Sequence, residues 1–369
     1  MQLSSTHVRP TNIAQLAKTF GQAIGFDRVG IAPARPLARA QYYKAWLASG
    51  HAAGMTYLHR HVELRADPAK LLPGARSIIC VALNYRRSPA ERRTDGPQGR
   101  VAMYAQCPDY HVLMRAMLET LLERLRREAG VQFEARVCVD TAPVLERELA
   151  CSAGVGWIGK NTCLLDRQLG SYVFLGEALT TLDLPADEPV ADGCARCTRC
   201  VDACPTGALT APYNLDASRC ISYLTIEHRG NIPATLQPLV GDWVFGCDVC
   251  QQVCPYNRKA ADVCNSKLPA GGISARLELL ELLAIGRGAY RRLLDGTACH
   301  RARVPMWRRN AATALGNIDA KGGTAGGAVM AALAQAAGDE NALVRSAAED
   351  ARRRLYPDTR PAGESLRSM

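Results

Sequence analysis

The sequence predicts three consecutive parts: an α/β segment over residues 1–185, a cysteine-rich segment over 186–269 and an α-helical segment over 270–369. Three observations predict this division. Short runs of Val and Ile alternate with helical periodicity in the first part, eight of the fifteen cysteines lie between Cys194 and Cys254, and the last part is rich in Ala and Leu. A chain of 369 residues with 48% hydrophobic content can bury the cores of two or three domains.

The first segment has the strand and helix pattern of an α/β domain. Runs rich in Val and Ile, bounded by turn residues, predict strands over Arg28–Ala34, Ser77–Tyr85 and Phe133–Asp140. Between the last two, leucines at helical spacing with Arg and Glu opposite predict an amphipathic helix. The stretch "TCLLDRQLGSYVFLGEALTTLDL" predicts a hairpin that turns at "RQLGS".

The last segment predicts packed helices. The stretches "RRNAATALGNI" and "VRSAAEDARRRL" begin 36 residues apart, and each has paired alanines after a basic residue. This spacing resembles a short array of HEAT-type helical repeats. So short an array must pack against the rest of the chain.

The charge balance favours a polyanionic partner. The formal net charge is +10 with the cysteines counted as neutral. The sequence shows neither a signal peptide nor a run of about 18 apolar residues. We therefore expect a cytoplasmic protein that does not enter the membrane.

The cysteines of the middle segment follow the spacing of bacterial ferredoxins. The stretch "CARCTRCVDACP" places Cys194, Cys197, Cys200 and Cys204 before a proline in the run typical of 4Fe–4S proteins. In that run three thiolates converge on one cluster, and the fourth serves the other cluster. A second run, "CDVCQQVCP", supplies Cys247, Cys250 and Cys254 but lacks a leading cysteine.

Cys220 completes the second set, so eight ligands are available for two clusters. We assign cluster one to Cys194, Cys197, Cys200 and Cys254, and cluster two to Cys204, Cys220, Cys247 and Cys250. Structural zinc is the alternative, because paired CxxC motifs also bind that ion. The repeated Cys-Pro endings favour iron–sulfur clusters, which conduct single electrons.

The glycine-rich stretch "GVGWIGKN" allows several interpretations. It matches the dinucleotide fingerprint and, up to Asn161, the phosphate-loop pattern. Both patterns require a preceding strand, whereas "VLERELACSA" before it is helical. A turn with a purely structural role is the remaining interpretation from the motif alone.

Several segments together closely resemble epoxyqueuosine reductases. They include "VDTAPVLERELACSAGVGWIGKNTCLL", "GSYVFLGE", "CTRCVDACPTGAL", "RCISYLTIE", "GCDVCQQVCPYN" and "RRNAATALGN", and the similarity extends from "GFDRVGIAPA" to about Asn317. The resemblance implies an enzyme with cobalamin and two 4Fe–4S clusters that reduces epoxyqueuosine to queuosine at the wobble position of tRNA. It also implies an N-terminal cobalamin-binding domain related to reductive dehalogenases and a ferredoxin-like domain after it.

The resemblance also implies roles for individual residues. Asp140 matches the proton donor of the family, which would require burial beside the corrin and a raised pKa. A helix cap is its structural alternative and would lower that pKa instead. The resemblance places the glycine loop and hairpin at a corrinoid pocket. The expected cobalamin contacts are Arg65, Asp140, Gly156, Gly159, Lys160, Asn161 and Ser171.

The resemblance implies three further partners or properties. Basic residues should bind the anticodon stem-loop carrying epoxyqueuosine, and the stretch "HRARVPMWRRN" offers Arg301, Arg303, Arg308 and Arg309 with Trp307 as a stacking face. A solvated basic face would look the same. A low-potential donor such as a flavodoxin or ferredoxin should supply electrons, and the family expectation is a monomer.

Two other functions compete with this interpretation. The first is a cobalamin-dependent reductive dehalogenase of small organohalides. The second is an iron–sulfur electron carrier without catalytic activity, which would leave the first 185 residues without a role.

Overall fold

A computed structural model describes residues 10–87, 96–260, 265–269, 271–318 and 323–356. Its strands are β1 Arg28–Pro33, β2 Ser77–Asn84, β3 Gln98–Val101, β4 Ala135–Cys138, β5 Trp157–Ile158, β6 Leu164–Leu165, β7 Val173–Thr180, β8 Leu209–Ala211, β9 Asn214–Leu215, β10 Trp243–Phe245 and β11 Arg276–Glu278. Its α-helices are α1 Pro10–Ile24, α2 Ala40–Ala48, α3 Val62–Ala66, α4 Tyr110–Ala129, α5 Glu146–Ser152, α6 Arg199–Asp202, α7 Ile221–Ile226, α8 Gln237–Val240, α9 Val249–Gln252, α10 Pro255–Lys259, α11 Leu279–Leu283, α12 Arg287–Leu294, α13 Val304–Leu315, α14 Gly323–Ala336 and α15 Ala342–Leu355.

The N-terminal part is a three-layer arrangement around a four-stranded sheet. The strand order is β1-β2-β7-β4, and each neighbouring pair is antiparallel. Alternate residues of β2 point to opposite faces, so Ile79 and Val81 pack with α1 and α4 while Ile78 and Cys80 pack with α5. Both faces of the central strands are therefore buried, which explains their continuous apolar sequence.

The three predicted strands of this part are confirmed, although β4 is shorter than expected. The predicted hairpin is only partly correct. Asp166 and Gly170 form the expected tight turn, but the two strands beside it belong to different sheets. β6 pairs with β5, whereas β7 lies in the centre of the large sheet. The antiparallel pairing makes this part α+β in organisation.

A second sheet joins the three parts of the chain. Its order is β10-β3-β11, so a strand from each predicted segment contributes one member. The predicted boundary at residue 185 therefore does not divide the chain into independent units, because β3, which lies before it, pairs with β10 and β11, which lie after it. This sheet brings the N-terminal part against the cysteine-rich and helical parts.

The C-terminal part is helical, as predicted. Helix α13 packs against α11 and α15, and its buried face includes Trp307, which stacks on Phe245 at 4.9 Å between ring centroids. No described helix is long and apolar enough to cross a membrane.

Candidate active site and cluster-binding region

Asp140 lies in a turn directly after β4, where the chain leaves the sheet. Its φ is +53°, in the left-handed region that Asp tolerates better than most residues. The next helix, α5, begins six residues later at Glu146, so Asp140 caps no helix. Its side chain is 54% exposed, which differs from the burial that we expected and leaves the carboxylate accessible from a cleft.

His111 joins Asp140 to a second aspartate. It lies in the first turn of α4, where Asp109 caps the helix by accepting the His111 backbone N–H at 3.0 Å. The imidazole Nδ1 is 2.7 Å from Asp109 Oδ1, and Nε2 is 3.1 Å from Asp140 Oδ2. Burial opposes protonation, but hydrogen bonds to Asp140 and Asp109 raise the pKa of His111 above its usual value. The imidazole is thus placed to exchange a proton with Asp140.

A partly buried and a fully buried carboxyl group lie behind the Asp140 turn. Glu146 accepts a hydrogen bond from the Asp140 backbone N–H. Burial, followed by the Asp140 charge, raises the pKa of Glu146 to about 7. Glu177 occupies the middle of β7, fully buried, and neither of its oxygens has a hydrogen-bond partner among the described residues. Burial, then Glu146 and Asp140, holds the pKa of Glu177 well above its usual range.

The opposite side of the cleft carries groups from distant parts of the chain. Arg301 donates to Glu227 at 2.7 Å and lies 4.9 Å from the ring centre of Tyr57. Partial burial, with the charges of Glu227 and Asp140, raises the pKa of Tyr57. The charges of Arg301 and Arg65 oppose this rise, so all four charged groups lie near Tyr57.

Arg65 is the predicted cobalamin contact whose position agrees best with this cleft. Its Nη1 donates to the Val144 carbonyl at 3.3 Å. Its Nε is buried and has no hydrogen-bond partner in the part of the chain that the structure describes. A buried guanidinium donor left unpaired is costly, so an acceptor from a bound molecule would satisfy it.

The four cysteines assigned to cluster one surround a single cavity of about 320 Å³. Cys194, Cys197 and Cys200 come from the loop before α6 and its first turn, while Cys254 precedes α10. Burial, with the neighbouring Cys194 and Cys254, raises the pKa of the Cys200 thiol to about 11. The structure thus brings together the four predicted ligands, with space between them.

The second group of cysteines is partly buried. Burial raises the pKa of Cys247 to about 12, and Cys220 and Cys204 contribute. The Cys250 thiol has a pKa well above its usual range because it hydrogen-bonds with Cys163 and is buried, with Cys247 and Cys220 nearby. Because these cysteines affect one another's pKa, the four assigned to cluster two lie close together. Cys163, to which we assigned no role, lies against them.

The four cysteines of cluster one are distributed around their cavity. Sulfurs that share one zinc ion lie about 4 Å apart, because each Zn–S bond is about 2.3 Å long. Within the described ranges, no three His, Cys, Asp or Glu side chains are arranged to hold a single metal ion. Ligands distributed around a cavity suit the corners of a larger inorganic cluster.

The glycine loop lies beside cluster one, and its glycines pack closely against the neighbouring strand. Gly156 and Gly159 are buried against β6, where an added Cβ would lie 2.2 Å from the Leu165 carbonyl oxygen and 2.5 Å from the Leu165 side chain, respectively. Close packing within the β5–β6 hairpin therefore explains both glycines. The corrinoid contacts expected for Gly156 and Gly159 stay predictions.

Three polar residues near this hairpin also differ from expectation. Lys160 and Asn161 line the cluster-one cavity, and Lys160 Nζ donates to the Ala195 carbonyl at 2.6 Å. Ser171 is buried in a hydrogen-bond network in which it donates to Gln251 at 2.9 Å and accepts from Asn257 at 2.8 Å. Its hydroxyl is fully used inside the protein. These contacts position the three side chains, and the corrinoid contacts expected for Lys160, Asn161 and Ser171 stay predictions.

Asn161 is oriented by its own loop. Its Oδ1 accepts the Cys163 backbone N–H at 3.2 Å, so its Nδ2 points the other way. That Nδ2 is buried and lacks a hydrogen-bond partner among the described residues. A cluster sulfur in the cavity would supply the missing acceptor, so this side chain fits a bound cluster.

Two of the five predicted RNA contacts are wrong. Trp307 is fully buried, stacks on Phe245 and donates its indole N–H to the Ala302 carbonyl at 3.1 Å, so it offers no stacking face. Arg309 is also fully buried and donates to the carbonyls of Leu224, His228 and Gly230. Its role is to hold the chain after α7 against α13.

The remaining three basic residues differ in availability. Arg308 donates to the Leu283 carbonyl and forms an ion pair with Asp339, so its charge is already matched. Arg301 and Arg303 are exposed. Arg301 also pairs with Glu227, but 47% of its side chain stays exposed and it lies near Asp140. These two remain candidates for RNA contact.

Sequence reasoning missed the residues that complete the cleft. Glu146, Glu227 and Tyr57 look like ordinary surface residues in the sequence, because their contacts come from distant segments of the chain. Glu177 carried a detectable signal, since a lone acid inside an apolar strand is unusual. His111 stood in a segment that resembles the family, but nothing local predicted its contact with Asp140.

Comparison with known proteins agrees with this geometry. The family model described as "Epoxyqueuosine reductase QueG, DUF1730" matches residues 65–141, and that of the "4Fe-4S double cluster binding domain" matches residues 193–257. The epoxyqueuosine reductase of Xanthomonas campestris pv. campestris is 41% identical over 340 residues, which cover 91% of this chain and 94% of that protein.

Solved epoxyqueuosine reductases share the fold. One from Bacillus subtilis, with an aspartate-bearing catalytic loop swung out of its active site, has a TM-score of 0.83 and 26% identity over 94% of this chain and 91% of its own. Another, solved with an epoxyqueuosine-modified tRNA-Tyr stem loop, has a TM-score of 0.81 and 26% identity over 94% of this chain and all of its own. The chain belongs to the epoxyqueuosine reductase family.

Proposed function

We propose that this protein reduces epoxyqueuosine to queuosine at the wobble position of tRNA. The observation that carries the proposal is the Asp140 carboxylate, 54% exposed and 3.1 Å from the His111 imidazole, in a chain whose eight cysteines form two groups. The family supports the reaction, and the relative solved with a modified stem loop supports an RNA substrate. Epoxide reduction consumes two electrons and two protons, and it yields an alkene and water.

We assign Asp140 as the proton donor to the leaving epoxide oxygen. The relative with an aspartate on a mobile catalytic loop supports such a role, and the left-handed turn of Asp140 places its carboxyl at the end of a strand, open to the cleft. His111 returns a proton to Asp140 after each transfer, because its imidazole lies between Asp140 and Asp109.

Two cofactors complete the site. The eight assigned cysteines hold two 4Fe–4S clusters, as the double-cluster match supports. Cobalamin, when bound, supplies a strongly reducing cobalt centre. Arg65 and Asp140 are the residues that would contact it, and the unpaired Nε of Arg65 supports this fit.

The finer organisation is also part of the proposal. We divide the chain into a catalytic domain over 1–185, a ferredoxin-like domain over 186–269 and a HEAT-like domain over 270–369, with β3 as the shared element. Arg301 and Arg303 contact the RNA backbone. We expect a cytoplasmic monomer that receives electrons from a low-potential flavodoxin or ferredoxin.

Anaerobic turnover with an epoxyqueuosine-containing anticodon stem-loop tests the proposal. Protein loaded with cobalamin and given a low-potential reductant should convert the RNA, as measured by mass spectrometry of the nucleoside. Asp140→Ala should retain the cluster spectra and lose turnover, whereas Asp183→Asn, in an exposed ion pair with Arg76, should behave as wild type. Turnover of chloroaromatics without any turnover of RNA would favour the dehalogenase alternative instead.

A further inference from the structure

The two cluster sites differ in what surrounds them. Cys194, Cys197 and Cys200 of cluster one are partly exposed, and Arg196 and Arg199 beside them are exposed. Cluster two faces the N-terminal part, because Asp248, between Cys247 and Cys250, accepts the Met103 backbone N–H at 2.7 Å, and Gln251 accepts from the Ser171 hydroxyl at 2.9 Å. Cluster one is therefore the site that a partner protein can approach, and cluster two lies towards the body that carries Asp140.

Basic side chains surround the accessible side of cluster one. Lys160, Arg199 and Lys259 line its cavity. Three more flank it: Arg196 between two cluster ligands, Arg258 beside Lys259 in α10, and Arg167 over the Trp157 ring at 5.7 Å. We call these six residues the basic rim: Lys160, Arg167, Arg196, Arg199, Arg258 and Lys259.

The basic rim has no matching acids. None of its members makes an ion pair with a described residue, in contrast to Arg28, which pairs with Asp166 beside Arg167. The nearby Asp192 is used by Tyr213 and by the Cys194 backbone N–H, and Asp202 accepts from Thr198. The cluster, Asp192 and Asp202 together would offset about four of the six positive charges, so a net positive surface remains.

We propose that the basic rim is the docking surface for an acidic one-electron carrier protein, with cluster one as the entry point for electrons. The carrier is oxidised by one electron at each docking, and cluster one is reduced by one, so two dockings supply one epoxide reduction. This inference rests on the proposed function for the use of those electrons. RNA is the less favoured occupant because its reacting base must reach Asp140, whereas a carrier must bring its own redox centre near a cluster.

Complementary charge should steer this association. Opposite charges accelerate encounter between proteins by up to about 10³-fold, and salt weakens the effect. Anaerobic stopped-flow measures it directly, because reduction by flavodoxin, an acidic flavin protein, bleaches the cluster absorption. The measurement needs no RNA turnover, so its failure is distinguishable from failure of the proposed function.

The double variant Arg196→Glu with Arg258→Glu should slow reduction by flavodoxin about tenfold or more at low salt. The difference should shrink at about 0.5 M salt. Reduction by a photoreduced deazaflavin, a small molecule that needs no docking surface, should be unchanged. Arg291→Glu with Arg292→Glu in α12, which makes the same change in charge on an exposed helix, should leave the flavodoxin rate unchanged.

Two results would overturn the proposal. The first is a flavodoxin rate in the rim variant equal to that of the α12 variant. The second is a loss of stem-loop affinity in the rim variant without a change in the flavodoxin rate, which would make the basic rim an RNA surface. If the Glu variant contains less iron than wild type, the Arg196→Gln and Arg258→Gln pair serves instead and should still slow reduction about threefold or more.

Discussion

Replacing Glu146 with glutamine should stabilise the protein at alkaline pH. Glu146 begins α5, and its carboxyl group accepts the backbone N–H of Asp140. Glutamine keeps an oxygen that can accept this hydrogen bond but cannot ionise. The variant therefore removes the cost of a buried charge and preserves the contact that holds the Asp140 turn.

The size of the effect follows from the pKa of Glu146. In the folded protein burial raises this pKa to about 7, from a usual value of 4.5. Between these values the unfolded chain loses its proton while the native protein keeps it, so native stability falls as pH rises from 4.5 to 7. The full cost is about 3 kcal/mol above pH 7 and about 1 kcal/mol or less at pH 5.

Thermal unfolding of wild type and Glu146→Gln across pH measures this cost. For a chain of 369 residues, about 3 kcal/mol corresponds to a Tm higher by about 4 °C in the variant at pH 8. The difference should nearly vanish at pH 4.5. Glu128→Gln, at an exposed carboxylate paired with Arg124, should show no such gain. A Tm difference that does not depend on pH would refute the reasoning, because a neutral packing change has no titration.

Three further predictions concern other parts of the molecule. Asn161→Leu should make the reduction potential of cluster one, but not of cluster two, about 40 mV more negative, since one N–H···S bond contributes about 1 kcal/mol. An EPR-monitored redox titration measures both potentials, and unchanged potentials would contradict this role of Asn161. The wild-type kcat should fall as pH rises through the raised pKa of His111, because the protonated imidazole must reprotonate Asp140. His111→Gln should lack this fall. The same pH profile in both proteins would exclude proton transfer from His111 to Asp140. Arg309→Ala should lower the free energy of unfolding by about 3–5 kcal/mol, measured as a Tm about 4–6 °C lower. Arg291→Ala, at an exposed residue, should change the Tm by less than about 1 °C. Equal effects would show that the buried hydrogen bonds of Arg309 contribute little.

The cluster ligands could be predicted because their information is local. The spacing of the cysteines in the first run determines which thiolates converge, and the prolines mark its repetition in the second run. The central strands could be predicted for a similar reason, since continuous burial of β2 leaves a continuous apolar sequence. Strand pairing could not, because nothing local in β7 shows that it lies between β2 and β4.

The cleft and the RNA face depend on contacts between distant segments. Asp140 meets His111 across 29 residues and shares a space with Arg301 across more than 160. Trp307 illustrates the opposite error. Arginines around it suggest an exposed basic face, but α13 turns this residue onto Phe245 of a different segment, and helical periodicity does not reveal which face a neighbour covers.

The metal content of the purified protein tests the central claim most directly. After anaerobic purification and incubation with cobalamin, we predict about eight iron atoms and one cobalt atom per chain. We also predict that Cys250→Ser loses about half of the iron, because only cluster two depends on this ligand. Zinc in place of iron, or a protein that never retains cobalt, would contradict the account.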